Sequence, residues 1–71
     1  MAKTGSVFDL FPEGNNGSQE GAGRVTEDGT GIKYVFMTPD DVDPSAIPLK
    51  VGTKVTFDSP GAEQATNVQL A

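Results

Sequence analysis

Along this chain, apolar residues cluster in short runs separated by turn-forming residues, and the clearest alternation lies near the end. Within Ser45 to Leu70, Val55 and Phe57 alternate with Lys54, Thr56 and Asp58, the period-two signature of a half-buried strand. Thr66, Val68 and Leu70 repeat the pattern after Asp58-Ser59-Pro60-Gly61, in which Pro fixes one backbone angle and Gly accepts positive φ. The segment reads as a hairpin. Earlier, Gly5 to Phe11 is an apolar-rich run bounded by Gly and Pro12, long enough for one strand and too short for a helix. Pro12 to Gly21 is nearly devoid of apolar residues and dense in turn formers, so a mobile loop is expected there.

Ala22 to Thr26, centred on Val25, is a second strand, and Glu27-Asp28-Gly29-Thr30-Gly31 supplies a turn into Ile32 to Met37. That third strand carries apolar or aromatic side chains on both faces, Ile32/Tyr34/Phe36 and Lys33/Val35/Met37, so periodicity alone does not say which is buried. From Thr38 to Pro44, two prolines deny ladder hydrogen bonds and three aspartates resist burial. An exposed connection follows, with room for a short helical turn. Pro48 biases Ile47 toward extended backbone, and Val51-Gly52-Thr53 turns the chain into the last hairpin. Five short strands, with no long helix, heptad or repeat, predict a single all-β domain, a small five-stranded antiparallel barrel or sandwich.

Composition narrows the chemistry. The 71 residues limit the chain to one domain, and a fold this small hides only about 60% of its unfolded surface. There is no Cys and the chain has no His, which removes disulfides, the usual zinc ligands, thiol nucleophiles and the commonest general base. Five Lys plus Arg against ten Asp plus Glu give a net charge of −5, a field that repels phosphate overall. No apolar run approaches the ~18–20 residues of a membrane span, and Met1-Ala2-Lys3 leads into polar sequence, so a soluble, cytoplasmic protein without a membrane partner is expected.

Asp40, Asp41 and Asp43, and likewise Glu27-Asp28-Gly29, are oxygen-rich. They lack the D-x-D-x-D-G spacing and terminal Glu of a calcium loop, and they read as solvated charge. Carboxylates in exposed Pro-rich loops have nothing to desolvate them for acid–base work. Gly21-Ala22-Gly23 and Gly29-Thr30-Gly31 precede no helix and no phosphate-binding lysine. Neither an enzyme nor a cofactor is expected.

The order of the pieces resembles the bacterial cold-shock domain, a five-stranded OB-type barrel that binds single-stranded RNA and DNA. Members tend to open with G-T-V-K-W-F, carry K-G-F-G-F-I and V-F-V-H-F, and continue S-A-I…L-x-x-G-x-x-V-x-F to a closing Q-A-x-N-V. Here stand Gly5-Ser6-Val7, Glu20 to Val25, Val35-Phe36-Met37, Ser45-Ala46-Ile47, Leu49 to Phe57 and Gln64 to Val68. The departures fall where the family binds its ligand: Ala22 and Arg24 stand for two phenylalanines, Glu20 for a lysine, Thr38-Pro39 for His-Phe, and there is no Trp. The loop from Pro12 to Gln19 is longer than the usual connection.

The resemblance implies that Val35 and Met37 point into the barrel and Phe36 outward, with Tyr34 beside it. Phe8, following inward Val7, joins them, and Arg24 offers a guanidinium plane for stacking or phosphate contact. The expected nucleic-acid site is thus Phe8, Arg24, Lys33, Tyr34 and Phe36, with single-stranded RNA or DNA as partner. Base stacking is worth roughly 1–3 kcal/mol per base, and the missing aromatics predict weak or specialised binding. Against this stands the ordinary role of strand aromatics, which is packing. The alternative is an acidic protein-interaction module meeting a basic partner.

Overall fold

A computed structural model describes residues 2–71. The elements are β1 (Lys3–Phe11), β2 (Gly21–Glu27), β3 (Lys33–Thr38), a 3₁₀ turn (Pro44–Ala46), β4 (Lys54–Gly61) and β5 (Gln64–Leu70). The strands close into a barrel in the order β1-β2-β3-β5-β4, with β4 pairing back onto β1. Neighbours are antiparallel except β3 and β5, which meet in parallel at Val35 and Gln64. This is the expected all-β, five-stranded, OB-type barrel. No helix among the described residues is long and apolar enough to cross a membrane.

Inside lie Val7, Val25, Tyr34, Phe36, Val55, Phe57, Ala65 and Val68, with Val42, Ala46 and Leu49 of the β3–β4 connection completing the core. The 3₁₀ turn that places Ala46 is capped by Asp43, whose Oδ1 accepts from Ser45 N at 2.8 Å and Ser45 Oγ at 2.7 Å. This cap satisfies turn donors that helical bonds leave open.

The structure corrects the expected orientation of β3. Tyr34 and Phe36 are buried, 6% and 0% exposed, whereas Val35 and Met37 face solvent. Two features of the barrel select this face. Gly23 lies opposite Phe36 in the ladder and leaves room for its ring, while Tyr34 packs on Phe57 with centroids 5.2 Å apart. Tyr34 also keeps its hydroxyl at the barrel rim, where it donates to Glu27 Oε1 at 3.3 Å. Two large rings hide more apolar area than Val and Met could, and the polar atom is not stranded.

The closing hairpin also differs. Asp58 to Gly61 belongs to β4, and the turn is Ala62-Glu63, with Glu63 at φ 61°. Pro60 is tolerated because the β1 ladder on that side of β4 ends at Phe57, so no neighbouring strand there asks for its missing N–H. In β5 the buried residues are Ala65 and Val68, and Leu70 is 52% exposed. Asn67, at φ 52°, lies where the β4–β5 register slips between Thr56 and Asp58, so the alternation resets in mid-strand. Asn is among the residues that accept this left-handed conformation.

The loop read as mobile is anchored by Asn15, which is buried. Its Nδ2 donates to Phe11 O at 2.6 Å and Thr38 Oγ1 at 3.0 Å, and its Oδ1 accepts from Gly17 N at 2.8 Å. Thr38 Oγ1 in turn donates to Gln19 O at 2.9 Å, and Leu49 N donates to Asn16 O at 2.7 Å. The loop is thereby tied to β3 and to the segment before β4 by polar bonds that hydropathy patterns do not register.

Candidate nucleic-acid interface

The outer face of β1, β2 and β3 is built in cross-strand rows. Register places Ser6, Thr26 and Lys33 in one row, Asp9, Arg24 and Val35 in the next, and Phe11, Ala22 and Met37 in a third. Phe8 is the extra residue of a bulge between Val7, opposite Val25, and Asp9, opposite Arg24. A bulge re-aims the side chains that follow it. Here it lets Phe11, three positions after Phe8, return to the same outer surface.

Arg24 sits at the centre. Its guanidinium carbon lies 5.2 Å from the Phe8 ring centroid and 5.4 Å from that of Phe11, within cation–π range of both. Its Nη2 donates to Asp9 Oδ2 in a half-exposed ion pair, which orients the planar group more than it stabilises the fold. Lys33 Nζ lies 5.6 Å from the Phe8 centroid. Among the described residues, Lys3, Arg24 and Lys54 are ion-paired, to Glu27, Asp9 and Asp28, so Lys33 on this face and Lys50 beyond it hold the unpaired positive charge. On this face Phe11, Val35 and Met37 are 41–53% exposed.

Of the expected site, Phe8, Arg24 and Lys33 are brought together and Tyr34 and Phe36 are not. Neighbouring residues of a strand point to opposite faces, so Lys33 could not share a surface with both its neighbour Tyr34 and Phe36. The parity of Lys33, whose charge resists burial, was the signal that Val35 and Met37 lie outside. Phe11 carried no comparable signal, because strict alternation from Phe8 assigns it to the opposite face.

Phe11 is the shared wall of two depressions. One, of about 680 Å³, runs toward Asn16, Pro48, Lys50 and Val51. The other, of about 590 Å³, lies over Gly21 and Ala22 between Phe11, Pro12 and Met37, with Glu20 at its side.

Two carboxylates away from this face are held below their usual range. Glu27 is lowered chiefly by the hydroxyl of Thr30, at 2.7 Å, with help from Lys3 and Tyr34. Asp43 is lowered by the hydroxyl and backbone N–H of Ser45, and by Gln69. Among the described residues no three His, Cys, Asp or Glu side chains gather as a metal site. The face offers aromatic and guanidinium planes, an amine and apolar contact: chemistry for stacking and charge recognition. No family, characterised protein or solved structure matches this chain.

Proposed function

We propose that the chain is a cold-shock-like domain that binds single-stranded RNA or DNA across the outer face of β1–β3. The observation that carries this reading is the Arg24 guanidinium within 5.2 and 5.4 Å of the Phe8 and Phe11 rings, on an exposed sheet face that also holds Lys33. Rings and a guanidinium plane stack with any base, while Lys33 answers phosphate. Val35 and Met37 supply apolar edges against which bases lose water.

Titration of short fluorescent oligonucleotides at low and at physiological salt tests the reading. Salt-sensitive binding that Phe11→Ala and Arg24→Ala weaken supports it. Absence of binding to any oligonucleotide at millimolar protein and low salt overturns it.

A second reading is supported by the exposed apolar side chains of Val35 and Met37 on a chain of net charge −5. Such a surface suits a basic protein partner. Pull-down from nuclease-treated lysate separates the two: a partner retained without nucleic acid, and lost on Val35→Asp, favours docking.

A further inference from the structure

The row Phe11, Ala22, Met37 sets a small residue between two large ones on adjacent strands. With strands spaced about 4.8 Å apart, the outer two backbones stand roughly 10 Å apart, and the depression of about 590 Å³ lies over Ala22 between their side chains. Ala22, with only a methyl group between the two large side chains, leaves the middle of the row open. The walls are the Phe11 ring, Pro12 and the Met37 thioether, which suit the faces and edges of a planar heterocycle. At the side stands Glu20, exposed, with no hydrogen-bond or ion-pair partner for its carboxylate among the described residues.

We infer that this depression is a base-selective subsite whose ligand is guanine, read by the Glu20 carboxylate. The inference rests on the single-strand reading of the face given above. An ionised carboxylate only accepts hydrogen bonds, through two oxygens side by side. Among the bases, guanine alone presents two adjacent donors on its Watson–Crick edge, the ring N1–H and the 2-amino group. Cytosine and adenine place a ring acceptor beside their single amino donor, and uracil and thymine flank N3–H with carbonyls, so each sets a lone pair against a carboxylate oxygen. Unstacked bases of single strands are available for reading on this edge. The negative charge of Glu20 also repels phosphate, which keeps the backbone on the Lys33 side and turns the base edge toward Glu20.

Affinity measurements on a labelled oligothymidine heptamer, and on heptamers carrying a single guanosine, inosine or cytidine at each position, test the assignment. At the favoured position one guanosine is expected to bind about tenfold tighter than thymidine, the discrimination typical of a bidentate pair. Inosine, lacking the 2-amino group, falls between, and cytidine gains nothing. Glu20→Gln, on a side chain without hydrogen-bond or ion-pair partners among the described residues, is expected to level guanosine with thymidine while leaving oligothymidine binding equal or tighter. Equal affinity for all heptamers overturns the subsite and leaves the face's nucleic-acid role standing, as does a guanosine preference that survives in Glu20→Gln. Failure of every heptamer to bind at low salt overturns both.

Discussion

The Phe36 ring occupies the space that a side chain at Gly23 would need: a Cβ there would lie 2.4 Å from Phe36 Cζ and 2.7 Å from Cε2. The two residues face each other across β2 and β3, so the glycine of one strand sets which face of the next is buried. Gly23→Ala forces a fully buried ring to move and is expected to destabilise the barrel by about 1–3 kcal/mol, while Phe36→Ala costs about 3–5 kcal/mol through the cavity it leaves. Urea denaturation of both variants measures this. A Phe36→Ala protein as stable as the parent would show that the ring is not in the core.

The binding face should respond to a different set of residues. Phe11→Ala and Arg24→Ala are each expected to weaken oligonucleotide binding by about 1–3 kcal/mol with little effect on unfolding. Lys33→Ala should chiefly reduce the steepness of the salt dependence. Fluorescence anisotropy across a salt series, paired with thermal melts, separates these effects.

Asn15 anchors the β1–β2 loop through Phe11 O, Thr38 and Gly17. Asn15→Ala leaves the Thr38 hydroxyl and Gly17 N–H short of a partner and should cost about 1–3 kcal/mol. Hydrogen exchange is expected to quicken at Gly17 and neighbouring loop amides before it does so at Val25 or Phe57 in the barrel wall.

Acid sensitivity should centre on two carboxylates. Glu27, lowered mainly by Thr30, and Asp43, lowered mainly by Ser45, bind protons more weakly folded than unfolded. Their contribution is therefore complete above the ordinary carboxylate range and is lost as pH falls through about 4 and below. Chemical denaturation between pH 7 and pH 3 should show this fall, and Glu27→Gln should flatten it. An unchanged slope in the Glu27→Gln and Asp43→Asn variants would place the acid response elsewhere.

Asn67 holds φ 52° within β5. Asn67→Gly should be close to neutral, and Asn67→Val should destabilise by about 1–3 kcal/mol, because a β-branched residue resists that conformation. Denaturant midpoints of the two variants provide the comparison.

Local chemistry determined a good deal of this protein without its fold. Short apolar runs, the breaks at Pro12, Gly29 and Pro44, and the alternation around Val55 and Phe57 define five strands in a small barrel or sandwich, since these signals act between near neighbours in sequence. The candidate site of Phe8, Arg24, Lys33, Tyr34 and Phe36 came instead from the resemblance to the cold-shock pattern, and the structure groups the first three of these. Tertiary structure decided the rest, in each case through a residue distant in sequence. The face of β3 depended on the space at Gly23 and on Phe57. The outward return of Phe11 depended on a bulge that exists only once β1 pairs with β2, and the burial of Ala65 on the slip of β5 against β4. The anchoring of Asn15 needed Thr38, 23 residues away. A strand's pattern lists which side chains share a face, but which face is hidden is a property of the partner strand, and here that choice moved the candidate interface from Tyr34 and Phe36 to Phe11, Val35 and Met37.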